Sequence, residues 1–369
     1  MSEKIAKRIC RLANERGNGY LSLERGAAGL SCAWGEGQAT QFLRLDEKTE
    51  TSVTETFRRL VGAAENDFFA DKRFKIADKG KVISGRATLL PAKEGEKLII
   101  SLSSEKPSER RLGALGLEKE QLAAVKSCIN RKRGVILISA EEEDGATSTY
   151  YSLLREAAKN RITYSIEDFP AQSITDVAQI SPRRYGGTGG AIDRLLRTDC
   201  EVIGCDSALI DEDFRAIFRA ASTGRLIIMT LPYKSGALAL SRLKKSGLSS
   251  DDIARQLLLV LTQKLFPRPC ARCLKPGNPD SEIKQKIIKR WPIAAKQWPR
   301  KLYRNIGCSA CRQNEAGKRT AAFEAMRFLP DGRLQAGFQP LIISALHKAA
   351  LGLVDIEDLA LWATKDKKI

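Results

Sequence analysis

With 369 residues, 43% of them hydrophobic and 29% charged, the chain has the composition of a globular protein long enough for two domains. No apolar run approaches the roughly 20 residues that cross a bilayer, and the first residues, Met1 to Arg8, lack the apolar core of a signal peptide. We therefore expect a cytoplasmic protein.

The net charge of +18 indicates an acidic partner. Nucleic acid, an anionic membrane surface and an acidic protein all fit this charge. Lys and Arg occur along the whole chain and aromatic residues make up 6% of it, so no platform for stacking nucleobases stands out. We therefore disfavour direct nucleic-acid binding and leave peripheral association with a membrane open.

The first part of the chain predicts a small α+β domain, residues 1–105. Helical periodicity over Lys4–Glu15 precedes short apolar runs that predict strands, among them a hairpin of Tyr20–Glu24 and Leu30–Trp34. The polar, proline-containing segment Ser103–Arg111 predicts the linker to a second domain.

Residues 106–369 predict an α/β domain, because buried-type strands alternate with amphipathic helices. This alternation predicts a parallel sheet with helices on both faces. Two later helices, over Leu341–Ala350 and Asp355–Thr364, predict a helical C-terminal tail. The predicted strands are Gly134–Ser139, Ile162–Ile166, Glu201–Cys205 and Arg225–Leu231, and the helices between them are Thr147–Asn160, Ala191–Arg197 and Asp211–Ala221.

Four of the nine cysteines form two CxxC pairs, Cys270 with Cys273 and Cys308 with Cys311. Two residues between cysteines let both thiolates converge on one ion, and two such turns supply the four ligands of a tetrahedral zinc site. We predict a structural zinc ion in a module of about residues 266–320. A redox-active CxxC pair and unrelated buried thiols are the alternatives.

The segment after the strand Gly134–Ser139 has the layout of a phosphate loop. Gly145 and the hydroxyl residues Thr147 and Ser148 lie at the start of a helix, but Ala146 stands where the phosphate-binding lysine belongs. Four consecutive carboxylates fill the turn itself, and the last of them, Asp144, is expected to cap the helix. The plain alternative is an acidic turn that never bound phosphate.

The order of segments resembles the ATPases of type II secretion and type IV pilus assembly, over roughly Tyr20 to Trp362. The resemblance implies a RecA-like P-loop NTPase domain with a four-cysteine zinc insertion, a hexameric ring, and ATP and Mg²⁺ chemistry coupled to pilin assembly. It also places Glu167 at the position of the catalytic glutamate. The matching segments are Gly134–Ser139, Thr147–Thr149, Ser165–Pro170, Ser181–Arg183, Ile192–Asp199, Ala221–Leu226 and Lys318–Glu324.

The departures from the family's pattern fall on the residues that handle nucleotide. Ala146 replaces the loop lysine, and Pro232 occupies the histidine position. Asp206 stands one place early for the family's acidic motif, unless Ser207 has replaced that acid. Asp206 and Glu167 are the catalytic candidates that remain.

We therefore predict a degenerate member of the family, a pseudo-ATPase that acts by assembly. It would join or cap a ring of secretion or pilus ATPase subunits, or hold the inner-membrane platform protein. A first alternative is a working ATPase in which Lys126, Lys132 or Lys234 replaces the loop lysine. A second alternative is a basic module that binds nucleic acid or an anionic membrane.

Overall fold

The chain divides into two compact units, Met1–Pro107 and Ser108–Ile369. The predicted helix Lys4–Glu15 and the fourth cysteine of the module, Cys311, lie outside the residues that the computed structural model describes. The described residues are 20–26, 29–34, 41–44, 55–56, 58–59, 62, 70–78, 81–92, 95–103, 110–168, 170–206, 209–277, 279, 281–291, 293–309 and 319–365.

Within the described residues, the first unit forms a six-stranded antiparallel sheet. The strands are β1 (Tyr20–Gly26), β2 (Gly29–Trp34), β3 (Gln41–Arg44), β4 (Ala70–Asp78), β5 (Lys81–Ala92) and β6 (Gly95–Ser103). Their order is β3-β2-β1-β6-β5-β4. The predicted hairpin is confirmed, because β1 and β2 pair from Leu21 opposite Trp34 to Gly26 opposite Gly29.

The described part of the second unit contains a seven-stranded sheet. Its strands are β7 (Gly134–Ser139), β8 (Thr163–Glu167), β9 (Val177–Ile180), β10 (Val202–Asp206), β11 (Leu226–Leu231), β12 (Leu257–Pro267) and β15 (Arg319–Arg327). Their order is β15-β12-β7-β11-β10-β8-β9. Neighbouring strands are parallel except for β12 and β15, which pair antiparallel. The four strands predicted from the sequence pair in parallel, and the antiparallel edge lies in β15, which the prediction did not include.

Helices cover both faces of this sheet, as predicted. Successive residues of β7 point to opposite faces, so Val135 and Leu137 join one apolar cluster while Ile136 and Ile138 join the other. The helices are α1 (Lys119–Ile129), α2 (Ala146–Ala158), α3 (Thr188–Leu195), α4 (Asp211–Ser222), α5 (Gly236–Lys245), α6 (Ser250–Gln256), α7 (Ser281–Arg290), α8 (Leu341–Ala350) and α9 (Ile356–Lys365).

A short antiparallel pair, β13 (Leu274–Pro276) and β14 (Tyr303–Asn305), lies between β12 and β15 in the chain. A third apolar cluster joins this part of the chain to α8 and α9 through residues such as Ile287, Leu302 and Leu346. Among the helices that the structure describes, none has the length and apolar character needed to cross a membrane.

Gly204, within β10, has no room for a side chain. A Cβ at this position would collide with the hydroxyl of Tyr150, which is fully buried and shares a hydrogen bond of 2.7 Å with Ser165 Oγ. We expect Gly204→Ala to lower the free energy of unfolding by about 1–3 kcal/mol, because the core must move to admit the methyl group. Urea unfolding measures this loss.

Gly113→Ala is the matched control, because no atom beyond its own chain neighbours lies within 4 Å of the Cβ position there. An equal loss of stability in both variants would contradict the steric explanation.

Candidate functional site

The phosphate-loop segment forms the turn between β7 and α2. Helix α2 begins at Ala146, and its N-cap is Gly145, whose φ of 82° favours a residue without a Cβ. The prediction that Asp144 caps the helix is therefore wrong. Glu143 also has a positive φ, of 67°. Left-handed residues are a feature of turns that expose successive backbone N–H groups to an anion, so the turn keeps one trait of a phosphate loop.

Strand β12 holds the loop through Asp144. The Asp144 carboxylate pairs with Lys264 at 2.8 Å (Oδ2 to Nζ) and accepts a hydrogen bond of 3.2 Å from the Leu265 backbone N–H. The Asp144 carbonyl accepts from the Gln263 side chain, which itself accepts a hydrogen bond of 2.6 Å from Thr149 on α2. The Asp144 side chain is 7% exposed and that of Lys264 25%, so solvent screens this ion pair less than a surface pair.

A cleft of about 610 Å³ opens beside the loop, and its lining is acidic. Among the described residues that line it, Arg242 is the one basic side chain. Arg242 already pairs with Asp211 at 2.6 Å (Nη1 to Oδ1) and lies 4.8 Å from the ring centre of Phe214. The lining side chains that bear on nucleotide chemistry are Glu141, Glu142, Glu143, Ala146, Thr147, Ser148, Asp206, Thr230 and Arg242.

The lysines considered as substitutes for the loop lysine lie elsewhere. Lys126, Lys132 and Lys234 are not among the described residues that line the cleft. Lys132 precedes β7, whose six residues separate it from the loop by roughly 20 Å. Sequence reasoning missed Lys264 and Arg319, which contact the loop, and Arg242, which lines the cleft.

Thr147 and Asp206 meet in the cleft. Burial raises the pKa of Asp206, and the charge of Glu167 adds to the rise, while hydrogen bonds from Thr230 and Thr147 oppose it. The Thr230 bond is 2.6 Å long (Oγ1 to Oδ1). A hydroxyl and a carboxylate side by side are oxygen ligands of the kind Mg²⁺ prefers. Ser207, the alternative acid position, lies outside the described residues.

Glu167 ends β8 beside Asp206 but is not among the described residues that line the cleft. Its Oε2 accepts a hydrogen bond of 2.6 Å from Tyr151, and its Oε1 accepts from Gln179 at 3.1 Å and from Ser165. Burial, and then the charge of Glu167, raises the pKa of Tyr151, so the phenol remains a donor. With 2% exposure and donors on both oxygens, Glu167 fits a packing role in this structure.

Three of the four predicted zinc ligands lie together. The Sγ atoms of Cys270, Cys273 and Cys308 lie within 4.8 Å of one another, and those of Cys270 and Cys308 are 4.0 Å apart. Tetrahedral Zn–S bonds place sulfur atoms about 3.8 Å apart, so this cluster fits zinc. Strand β13 follows Cys273 and β14 precedes Cys308, and their pairing brings Cys308 to the first CxxC turn.

The α/β sheet, with a phosphate-loop turn after β7, defines the class as an ATPase-type α/β domain. Two solved structures share this fold. The Legionella pneumophila ATPase DotB is 14% identical, with a TM-score of 0.67 over 99% of this chain and 97% of that one. The pilus retraction motor PilT with bound ADP is 18% identical, with a TM-score of 0.65 over 97% of this chain and 96% of that one.

The chain belongs to the family described as type II/IV secretion system protein, whose model matches residues 60–335. It is 26% identical to the type IV pilus assembly ATPase PilB of Acinetobacter baylyi, over 78% of this chain and 53% of the relative. It is 26% identical to the type II secretion system ATPase E of Vibrio cholerae, over 74% of this chain and 53% of the relative. The chain thus spans about half the length of these curated relatives.

The ion pair between Lys264 and Asp144 is expected to stabilise the second unit. Lys264→Met should lower the free energy of unfolding by about 2 kcal/mol, because it leaves a buried carboxylate without its cation. Adding Asp144→Asn should recover part of the loss, giving a coupling energy of at least about 1 kcal/mol in a double-mutant cycle. Lys159→Met, which breaks an exposed pair with Glu156, is the control and should cost under about 0.5 kcal/mol. Strictly additive losses for Asp144 and Lys264 would contradict the pairing.

Proposed function

We propose that this chain is a non-hydrolysing or weakly hydrolysing member of its family, a pseudo-ATPase that serves as an assembly or regulatory subunit. The observation that carries the proposal is the Asp144–Lys264 ion pair beside Ala146. The loop holds one of the protein's own carboxylates, and that carboxylate engages the Lys264 ammonium group. A triphosphate would therefore find no available lysine in the loop.

Electrostatics supports the same conclusion. Two like unit charges about 4 Å apart repel by about 4 kcal/mol at an effective dielectric constant near 20. Glu141, Glu142 and Glu143 line the cleft, so a bound triphosphate would meet several such contacts. Loss of one preorganised charge donor alone commonly lowers a catalytic rate by about 10² to 10³.

The names of the relatives suggest where such a subunit acts. We propose that this chain acts in a type II secretion or type IV pilus machine, in the cytoplasm at the inner membrane. There it joins a ring of its own copies or of ATPase subunits and contacts the platform protein. A small α+β domain, about residues 1–105, precedes the ATPase-type domain of residues 106–369 in this proposal.

A second candidate is an active ATPase, and one observation favours it. Thr147 and Asp206 still offer a hydroxyl and a carboxylate to Mg²⁺ in a cleft of about 610 Å³. Activity would require a cation to replace the missing lysine, and Arg242 is the described cleft residue that could turn toward a phosphate.

Nucleotide titration separates these two functions. We expect the chain to bind ATP with Mg²⁺ more weakly than about 10 μM and to show no hydrolysis of ATP above background. The triple variant Glu142→Thr, Glu143→Gly and Ala146→Lys should bind at least about tenfold more tightly, because it removes two repelling acids and supplies the cation. Calorimetric titration measures both proteins.

The matched control keeps the two glutamate changes but carries Ala146→Leu, which adds bulk without charge. A wild-type chain that hydrolyses ATP, and that Ala146→Lys leaves unchanged, would overturn the pseudo-ATPase proposal and support the active one.

We also propose that Cys270, Cys273, Cys308 and Cys311 hold one structural zinc ion. Bound zinc would supply the fixed geometry that joins the two CxxC turns, because a site with four protein thiolates leaves no position open for chemistry. The burial of Cys270 and Cys273 supports a structural rather than a redox role.

Elemental analysis of the purified chain should find one zinc per chain. Cys273→Ser should abolish this metal content and lower the thermal midpoint, since zinc binding contributes folding energy. Cys128→Ser is the control, because Cys128 is a buried thiol of α1 outside the cluster. A chain without metal and with four titratable thiols in these turns would contradict the zinc site.

A further inference from the structure

The pair of strands β13 and β14, here called the cysteine ribbon, has an inner and an outer face. On the inner face, Leu274 and Tyr303 lie against the backbone at Gly352, and the Asn305 N–H donates to Asp355 Oδ2 at 2.8 Å. Because side chains alternate along a strand, the middle residue of each strand points away from this contact. The outer face of the ribbon is therefore formed by Lys275 and Arg304.

These two basic residues oppose each other directly. Lys275 is the cross-strand partner of Arg304, and both are exposed. Like charges directly opposite one another destabilise a sheet. Glu357 Oε1 approaches Arg304 Nη1 only to 3.9 Å, and the two side chains are 47% and 60% exposed, so solvent screens this contact. The arrangement lowers stability unless an external anion neutralises it.

The charge around the ribbon is strongly basic as well. Residues 268–309 contain eleven Lys and Arg against two acids, a net +9 out of the chain's +18. Half of the net charge thus falls within 42 of the 369 residues. The described basic residues with exposed side chains in this range are Arg268, Arg272, Lys275, Lys284, Lys286, Lys289, Lys296, Arg300, Lys301 and Arg304.

The side chains beside these charges favour a lipid surface over a nucleic acid. Trp291 stacks on Trp362 at 5.7 Å, and Lys284 covers Trp298 at 5.2 Å, so these rings are already engaged. Nucleobases bind largely by stacking on available rings. In contrast, Ile306, two residues after Arg304, is 59% exposed. An aliphatic side chain among basic ones is typical of a surface that enters the boundary of a bilayer.

From these observations we infer that the cysteine ribbon is a docking surface for anionic phospholipid. Lys275 and Arg304 neutralise headgroup phosphates, and Ile306 enters the acyl boundary. Cys273 and Cys308 lie at the same end of the ribbon, because Leu274 pairs with Asn305. The inference goes beyond the proposed function, because it does not depend on whether the phosphate loop binds nucleotide.

Flotation of the full chain with lipid vesicles tests the inference. We expect binding to vesicles of phosphatidylcholine with roughly 30% phosphatidylglycerol, weak binding to phosphatidylcholine alone, and loss of binding as salt rises. Lys275→Gln with Arg304→Gln should weaken binding by roughly 30-fold, at about fivefold for each charge near the surface. Ile306→Ser should weaken it by at least about threefold, because an apolar side chain no longer enters the bilayer.

The charge-matched control is Lys244→Gln with Lys245→Gln, two exposed residues of α5. This control should bind vesicles like the wild-type chain, and unchanged zinc content and circular dichroism should show that every variant is folded. Equal loss in the control pair, or equal binding to neutral vesicles, would overturn the inference. Tighter binding to double-stranded DNA than to anionic vesicles, together with no effect of Ile306→Ser, would assign the surface to nucleic acid and overturn it as well.

Discussion

The loop between β7 and α2 depends on one buried carboxylate. Asp144 contacts three consecutive residues of β12, through an ion pair, a backbone hydrogen bond and its carbonyl. The same strand reaches α2 through the hydrogen bond from Thr149 to Gln263. Removing the carboxylate would leave Lys264 without its main partner and would remove the hydrogen bond from the Leu265 N–H, two of the contacts that hold the loop on the sheet. The acid at this position therefore has a structural role, because it connects the loop to the sheet.

The two parts of a nucleotide site differ in this structure. Thr147 and Asp206, which offer a hydroxyl and a carboxylate, lie together, whereas position 146 of the loop is an alanine. Metal binding needs a deprotonated carboxylate, and burial raises the pKa of Asp206. A neighbouring cation would lower that pKa, since an opposite charge favours the charged form. With alanine at position 146, the loop supplies no such cation to oppose the raised pKa of Asp206.

The parts of the fold that could be predicted from sequence are those with local signals. Strands β7, β10 and β11 are short buried runs, and the CxxC spacing alone indicated three cysteines that the structure brings together. Strand β12 was missed because its apolar run ends in Gln263 and Lys264. Their partners on the loop and on α2 lie more than a hundred residues earlier in the chain.

Sequence reasoning could predict only those features of the site that depend on residues within the loop itself. Sequence reasoning placed Asp144 at the helix cap because an acid before a helix is a good cap. In the structure, Gly145 adopts the left-handed conformation and takes the cap position, so the Asp144 side chain turns to β12 instead. No pattern within residues 140–148 indicates that choice, because it depends on a lysine from another strand.

The same two strands connect the loop to the cysteine module. The module lies in the chain between β12 and β15, which pair from Leu259 opposite Arg327 to Pro267 opposite Arg319. Strand β12 holds Asp144, and Arg319 at the start of β15 donates a hydrogen bond of 3.0 Å to the carbonyl of Glu143. Both strands that flank the module in the chain therefore contact the loop between β7 and α2. These contacts connect the cysteine module, through the strands on either side of it, to the turn after β7.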